Sequence, residues 1–126
     1  MTTTVQKQRP NLQEVVVIPE ATGQECHVTL AIPGHEVHTS ASLPRDQRER
    51  PRVVAATTLE ALKGLGYELP HEVALARVLT IGEGRVAMVR LVAQDGSLFG
   101  TCEAVLDEDR AIAAATLDAL NRHIAS

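Results

Sequence analysis

Apolar and polar positions along the chain follow two periods, and the order of the periods repeats. Val15-Val16-Val17-Ile18 is a β-branched run and predicts a strand, closed by Pro19 and Gly23. From His27 to Ile32 the pattern has period two, with Val28, Leu30 and Ile32 on one face. Pro33-Gly34 marks a turn. From Glu36 to Leu43 the alternation resumes, with Val37, Thr39, Ala41 and Leu43 set against Glu36, His38, Ser40 and Ser42. After a charged connection, Val54, Thr58, Leu62 and Leu65 take helical spacing, widened by Ala55, Leu59 and Ala61. Pro51 suits the first helical turn, and Gly64 and Gly66 suit its end.

The second half runs through the same order. Strands are predicted over 73–81, 85–93 and 98–106, with turns at Gly82-Glu83-Gly84 and Asp95-Gly96. Asp107 is a candidate N-cap, with Glu108 and Asp109 on the positive end of the helix dipole. Ile112, Thr116, Ala119, Leu120 and His123 form the helical stripe, and Arg122 and His123 suit the negative end. Ala55-Ala56-Thr57-Thr58-Leu59-Glu60-Ala61-Leu62 matches Ala113-Ala114-Ala115-Thr116-Leu117-Asp118-Ala119-Leu120 at six of eight positions. Upstream, Val28-Thr29-Leu30 aligns with Val89-Arg90-Leu91, Pro33-Gly34 with Asp95-Gly96, and Ala41-Ser42-Leu43 with Ala104-Val105-Leu106. A repeat of this kind fixes the architecture. It predicts an α+β fold, a duplicated βββα unit in which two helices cover one face of a mostly antiparallel sheet. The expected organisation is an N-terminal tail over 1–13 and one domain over 14–126, with pseudo-repeats 14–66 and 72–125.

Composition narrows the core. Aromatic residues are 2% of the 126, Tyr67 and Phe99 alone, so the interior must be built from Val, Leu, Ile and Ala. Such a core is thin, and a chain this short gains by burying further surface in an oligomer, so a homodimer is expected. Small residues Gly100, Cys102 and Ala104 would let a helix sit close to the sheet. Net charge is −4, which gives no basic excess for nucleic acid. No apolar run reaches the ~20 residues of a membrane span. The polar start reads as no signal peptide, and two cysteines far apart, Cys26 and Cys102, suit a reducing compartment, so a cytoplasmic protein is expected.

Motifs that would carry chemistry are few. His27, His35 and His38, with Cys26, Glu25 and Glu36 nearby, are the candidates for a metal, because a hairpin could bring His27 or Cys26 to His38. His35 and His38 fall on opposite faces of a strand, so no metal and no cofactor is expected. Arg45, Arg48, Arg50 and Arg52 around Asp46 read as a solvated loop, and His71 as a surface residue. No nucleophile elbow or phosphate loop is present. The sheet face away from the helices would carry His38, Ser40, Ser42, Phe99, Thr101, Glu103 and Val105. His38, Ser40, Phe99, Thr101 and Glu103 are the candidate ligand-binding residues.

The segment Ile112-Ala113-Ala114-Ala115-Thr116-Leu117-Asp118-Ala119-Leu120-Asn121-Arg122, closing a duplicated βββα unit, resembles the C-terminal regulatory (dimerisation) domain of 2-isopropylmalate synthase. The architectural resemblance spans about residues 15–125. It implies a dimerising domain that binds an end-product amino acid. Glu49-Arg50-Pro51-Arg52 stands where that family has a Gly-rich G-x-G-P segment, so no ligand residue is carried over. The expected function is a non-catalytic dimerising module with a small-metabolite site at its interface. The alternatives are a protein–protein scaffold and a small enzyme using His38 with Glu36 or Glu103 as acid–base groups.

Overall fold

The structure is a computed structural model that describes residues 9–125, with side chains described over 9–121. Three strands, β1 (Asn11–Glu20), β2 (Gly23–Ile32) and β3 (His35–Leu43), lead into helix α1 (Arg50–Gly64). The order then repeats as β4 (Glu72–Ile81), β5 (Gly84–Ala93), β6 (Gly96–Glu103) and α2 (Glu108–Ala125). The duplicated βββα unit of the α+β class is therefore present. The strands form two antiparallel meanders, β1-β2-β3 and β4-β5-β6, each a sheet of its own.

The two sheets match in detail. Each first strand is irregular at the same place, between Leu12 and Glu14 in β1 and between Val73 and Leu75 in β4. Gly23 opens β2 as Gly84 opens β5, and Val28-Thr29-Leu30 corresponds to Val89-Arg90-Leu91 as expected. Two of the expected equivalences shift. Gly96 opens β6 in the place His35 takes in β3, so Gln94-Asp95 is the turn matching Pro33-Gly34. Leu43 corresponds to Ala104, not to Leu106, because β6 stops at Glu103 and the chain turns into α2. Asp107 caps that helix, its Oδ1 accepting the Arg110 N–H at 3.0 Å. Val105 and Leu106 are consequently exposed in the connection rather than placed on sheet faces.

Pro19 lies within β1 rather than ending it, opposite Gln24. An edge strand tolerates a residue with no N–H to donate. The expected tail is shorter at its inner end, since Asn11–Gln13 already belong to β1; residues 1–8 lie outside the described residues, as do the side chains of Arg122 and His123.

The core forms where the inner sheet faces meet the helices. Cys26, Val28 and Leu30 of β2 and Ala87, Val89 and Leu91 of β5 are fully buried at equivalent positions. Each helix packs on the last two strands of its own unit and reaches the first strand of the other, α1 to β4 and α2 to β1. Polar cross-links reinforce this exchange. Arg52 donates to the Val73 carbonyl at 3.1 Å and Arg110 to the Leu12 carbonyl at 3.1 Å. Thr58 and Thr116 sit at equivalent buried positions and each donates to the carbonyl four residues back, Val54 and Ile112, so neither hydroxyl is stranded.

Arg50 and Arg52 thus belong to the packing and not to a solvated loop. Arg50 makes a two-pronged ion pair with Asp109, Nε to Oδ1 at 3.1 Å and Nη2 to Oδ2 at 2.8 Å, and also reaches Gln24. The guanidinium is held charged still more firmly by that carboxylate. His71 is buried, contrary to its surface reading. It follows Pro70 at the mouth of β4, where the chain re-enters the core beside Leu69 and Val73. Among the described residues no helix is long and apolar enough to cross a membrane.

Candidate functional site

The five residues predicted to bind a ligand do not share one sheet. His38 and Ser40 lie on β3, whereas Phe99, Thr101 and Glu103 lie on β6. The pairing registers make His38 the counterpart of Phe99, and Ser40 that of Thr101. They are equivalent places on two outward faces. Those two faces differ sharply in chemistry.

On the outward face of β4-β5-β6, cross-strand rows run Leu79-Val86-Glu103, Arg77-Met88-Thr101 and Leu75-Arg90-Phe99, flanked by Ile81 and Val92. Residues directly opposite in an antiparallel ladder share a face, so this surface carries Leu75, Leu79, Val86, Met88 and Phe99 interspersed with Arg77, Arg90, Thr101 and Glu103. Ile81 is 59% exposed and Phe99 52%. The Arg90 guanidinium lies 5.6 Å from the centre of the Phe99 ring, a cation–π contact. Sequence reasoning placed Phe99, Thr101 and Glu103 here and missed Leu75, Leu79, Val86, Met88 and Val92. The signal was available: β5 reads Val86-Ala87-Met88-Val89 with no alternation, the pattern of a strand covered on both sides.

On the outward face of β1-β2-β3 the equivalent rows are Ile18-Glu25-Ser42, Val16-His27-Ser40 and Glu14-Thr29-His38. Here the hairpin does bring histidines together. His27 Nδ1 lies 2.8 Å from His38 Nε2, and His38 Nδ1 lies 2.9 Å from Thr29 Oγ1. His27 Nε2 is 2.8 Å from Glu25 Oε1. That approach falls outside hydrogen-bond geometry, and Nε2 has no hydrogen-bond partner. His35 stays apart, opposite Ile32 and on the other face. His38 is engaged by His27 and Thr29, Glu36 lies opposite Ala31, and Glu103 is in the other sheet. The acid–base grouping of His38 with Glu36 or Glu103 gains no hydrogen bond among the described residues.

A cleft of about 720 Å³ lies between the two units, where the connection before α1 passes β4. Arg48, Arg52, Arg77 and Arg85 line it together with Asp46, Glu49 and Glu108. Arg48 is paired with Asp46 and Arg85 with Glu108, which leaves Arg52 and Arg77 as its further cationic groups.

Cys26 is fully buried, and that burial pushes its thiol up to about 11, with Asp109 adding to the shift. The folded state therefore holds the thiol proton more tightly than the unfolded chain, whose value is near 9.0. The contribution is complete below pH 9 and is lost as pH rises toward 11. Thermal melts of the wild type are expected to fall more steeply than those of Cys26→Ala across that window. Parallel curves would show that Cys26 titrates as it does in the unfolded chain.

Comparison of the chain with protein-family models finds no match, and comparison with curated proteins finds none either.

Proposed function

We propose that this protein is a self-associating module whose interface is the outward face of β4-β5-β6, joining two copies back to back. One observation carries the reading: at positions where the first sheet presents Glu20, Glu25, His27 and His38, the second presents Ile81, Val86, Met88 and Phe99. Apolar patches of several hundred Å² on one face mark interaction surfaces. Three strands spaced about 4.8 Å apart give a face of roughly 15 by 30 Å. That footprint, about 450 Å², lies at the small end of interfaces, where ~800 Å² per partner is standard.

A second copy suits this face better than another partner does, because its charge is self-complementary. Arg77 lies on one edge strand and Glu103 on the other, in neighbouring rows. A two-fold axis parallel to the strands would set β4 over β6 of the second copy. Arg77 would then approach Glu103 while Met88 packs against Met88. Such an isologous contact closes on itself and stops at two chains.

Met88→Glu is the direct test. It places a carboxylate at the centre of the apolar face, where a partner would deprive it of water. Dimer affinity is expected to fall by roughly 100-fold or more, with the monomer still folded. Ser40→Glu, on the other sheet at the place of Thr101, is expected to leave the mass unchanged. A Met88→Glu variant that associates as the wild type does would show that the interface lies elsewhere.

The cleft between the units supports the further reading that the dimer takes a small anionic metabolite there, near Arg52. The resemblance to the regulatory domain of 2-isopropylmalate synthase points the same way. A thermal-shift series with amino acids and small carboxylates checks it, since a ligand that binds only the folded state raises its melting temperature. No shift with any of them would remove the ligand and leave the self-association.

A further inference from the structure

We infer that the outward face of the first sheet carries a divalent-metal site formed by Glu20, Glu25 and His27, with His38 holding the His27 ring in place. One ligand atom from each of the three residues lies within 4.8 Å of the other two. Ligands that sit ~2.0–2.2 Å from a zinc ion in tetrahedral geometry are about 3.3–3.6 Å from one another. Closing the cluster onto an ion therefore requires movements of side-chain size only.

The backbone explains why these residues converge. Glu25 and His27 are two apart on β2 and so share a face. Glu20 reaches the same face from the far side of the hairpin, opposite Gly23. A glycine there leaves no side chain between the two carboxylates.

The state of His27 Nε2 points to a ligand rather than to a simple ion pair. This nitrogen is closed to solvent and has no hydrogen-bond partner. Glu25 Oε1 stands 2.8 Å away, outside hydrogen-bond geometry. Nε2 and the Glu20 and Glu25 carboxylates are thus gathered in one small cluster in which the nitrogen is not used as a hydrogen-bond donor or acceptor. The other side of the ring is arranged as a metal-bound histidine needs. With Nε2 as ligand, Nδ1–H donates to His38 Nε2, and His38 Nδ1–H donates to Thr29 Oγ1. In that arrangement each ring N–H has an acceptor and His27 presents Nε2 to the ion. His38 is a positioning residue in this account and not a ligand.

One imidazole and two carboxylates supply three ligands and two negative charges, leaving coordination positions free for water or substrate oxygen. The nitrogen ligand favours zinc and its neighbours in the transition series over magnesium and calcium, which prefer oxygen alone. The second unit has Ile81, Val86, Met88 and Phe99 at the corresponding positions, so one site per chain is expected.

Titration of the chelator-treated full chain with Zn²⁺ alone, followed by calorimetry and by thermal unfolding, tests the site. The expected result is one zinc per chain and a raised melting temperature, with no comparable effect of Mg²⁺. His27→Ala is expected to lower zinc affinity at least 100-fold, and Glu20→Gln, on the exposed hairpin end, at least 10-fold. His38→Ala is expected to lower it about 10-fold, the loss usual when an outer partner of a ligand is removed. His38→Gln, which keeps an acceptor for Nδ1–H, should restore most of that loss. Absence of stoichiometric zinc, or zinc binding that survives both His27→Ala and Glu20→Gln, would overturn the assignment.

Discussion

Gly100→Ala is expected to destabilise the protein by about 3 kcal/mol or more, the upper end of what an added methyl costs in a packed interior. In thermal unfolding this should lower the midpoint by roughly 10 °C or more. The reason is the closeness of α2 to β6. A Cβ on Gly100 would stand 1.9 Å from the Ala115 carbonyl oxygen and 2.4 Å from the Ala119 nitrogen. Both are backbone atoms of a helix held by its own hydrogen bonds, so relief requires moving the helix. Asp118 of that helix also accepts the Thr101 N–H at 3.0 Å, tying it to the strand. The first unit shows the alternative solution. Thr39 occupies the place of Gly100 and its hydroxyl donates to the Thr57 carbonyl at 3.0 Å, so a side chain fills the gap. Gly64→Ala serves as the control. Its Cβ would meet only the Val37 side chain, at 2.8 Å, near the end of α1. The gain in helix propensity, up to ~1 kcal/mol, should offset that contact. Equal stability for the two alanine variants would show that α2 does not approach β6 so closely.

Arg50→Ala is expected to cost about 2 kcal/mol, the range for removing a charge-assisted hydrogen-bonded pair. The side chains of Arg50 and Asp109 are 24% and 20% exposed, which separates this pair from ion pairs on open surface. The pair joins the first turns of the two helices, and through Gln24 it also holds the start of β2. Removing Arg50 leaves the Asp109 carboxylate partly shielded and without its partner. The N-terminal dipole of α2 compensates only in part. Asp109→Ala is expected to cost less, because the longer Arg50 side chain can turn toward water. In the double variant the two losses should fail to add by about 1–2 kcal/mol, measured by urea unfolding. Strict additivity would mean that the bidentate contact contributes nothing to stability.

Much of this architecture was legible in the residues because local pattern and global fold agree. The alternation of Val28, Leu30 and Ile32 against His27 and Thr29, the capping at Asp107 and the match between 55–62 and 113–120 each define one element. Their repetition defines the duplicated unit. Boundaries shifted where tertiary contacts decide them. Pro19 sits in a strand because that strand is an edge, and β6 stops before Val105 because α2 must turn back onto its own sheet. His71 and Arg50 were read as surface residues since nothing near them in sequence shows their neighbours. Asp109, the partner of Arg50, lies in the other helix.

The two outward faces were the least legible part. Which residues face away from the helices follows from alternation, but the contrast between the faces depends on the exact registers of both sheets. Phe99, Thr101 and Glu103 were placed on the correct side of β6. Joining them to His38 and Ser40 assumed a single continuous sheet. The apolar run Val86-Ala87-Met88-Val89 in β5 was the clue that this strand presents apolar side chains on its outward face as well as its inner one. Glu20 could not be linked to Glu25 and His27 until the hairpin register was known.

The mass of the wild-type chain in solution, by light scattering coupled to size exclusion at two concentrations, tests the central claim most directly. The account predicts twice the 13.5 kDa chain mass at both concentrations. A mass of one chain at both would contradict it, and the apolar face of β4-β5-β6 would not then be an interface between copies of this protein.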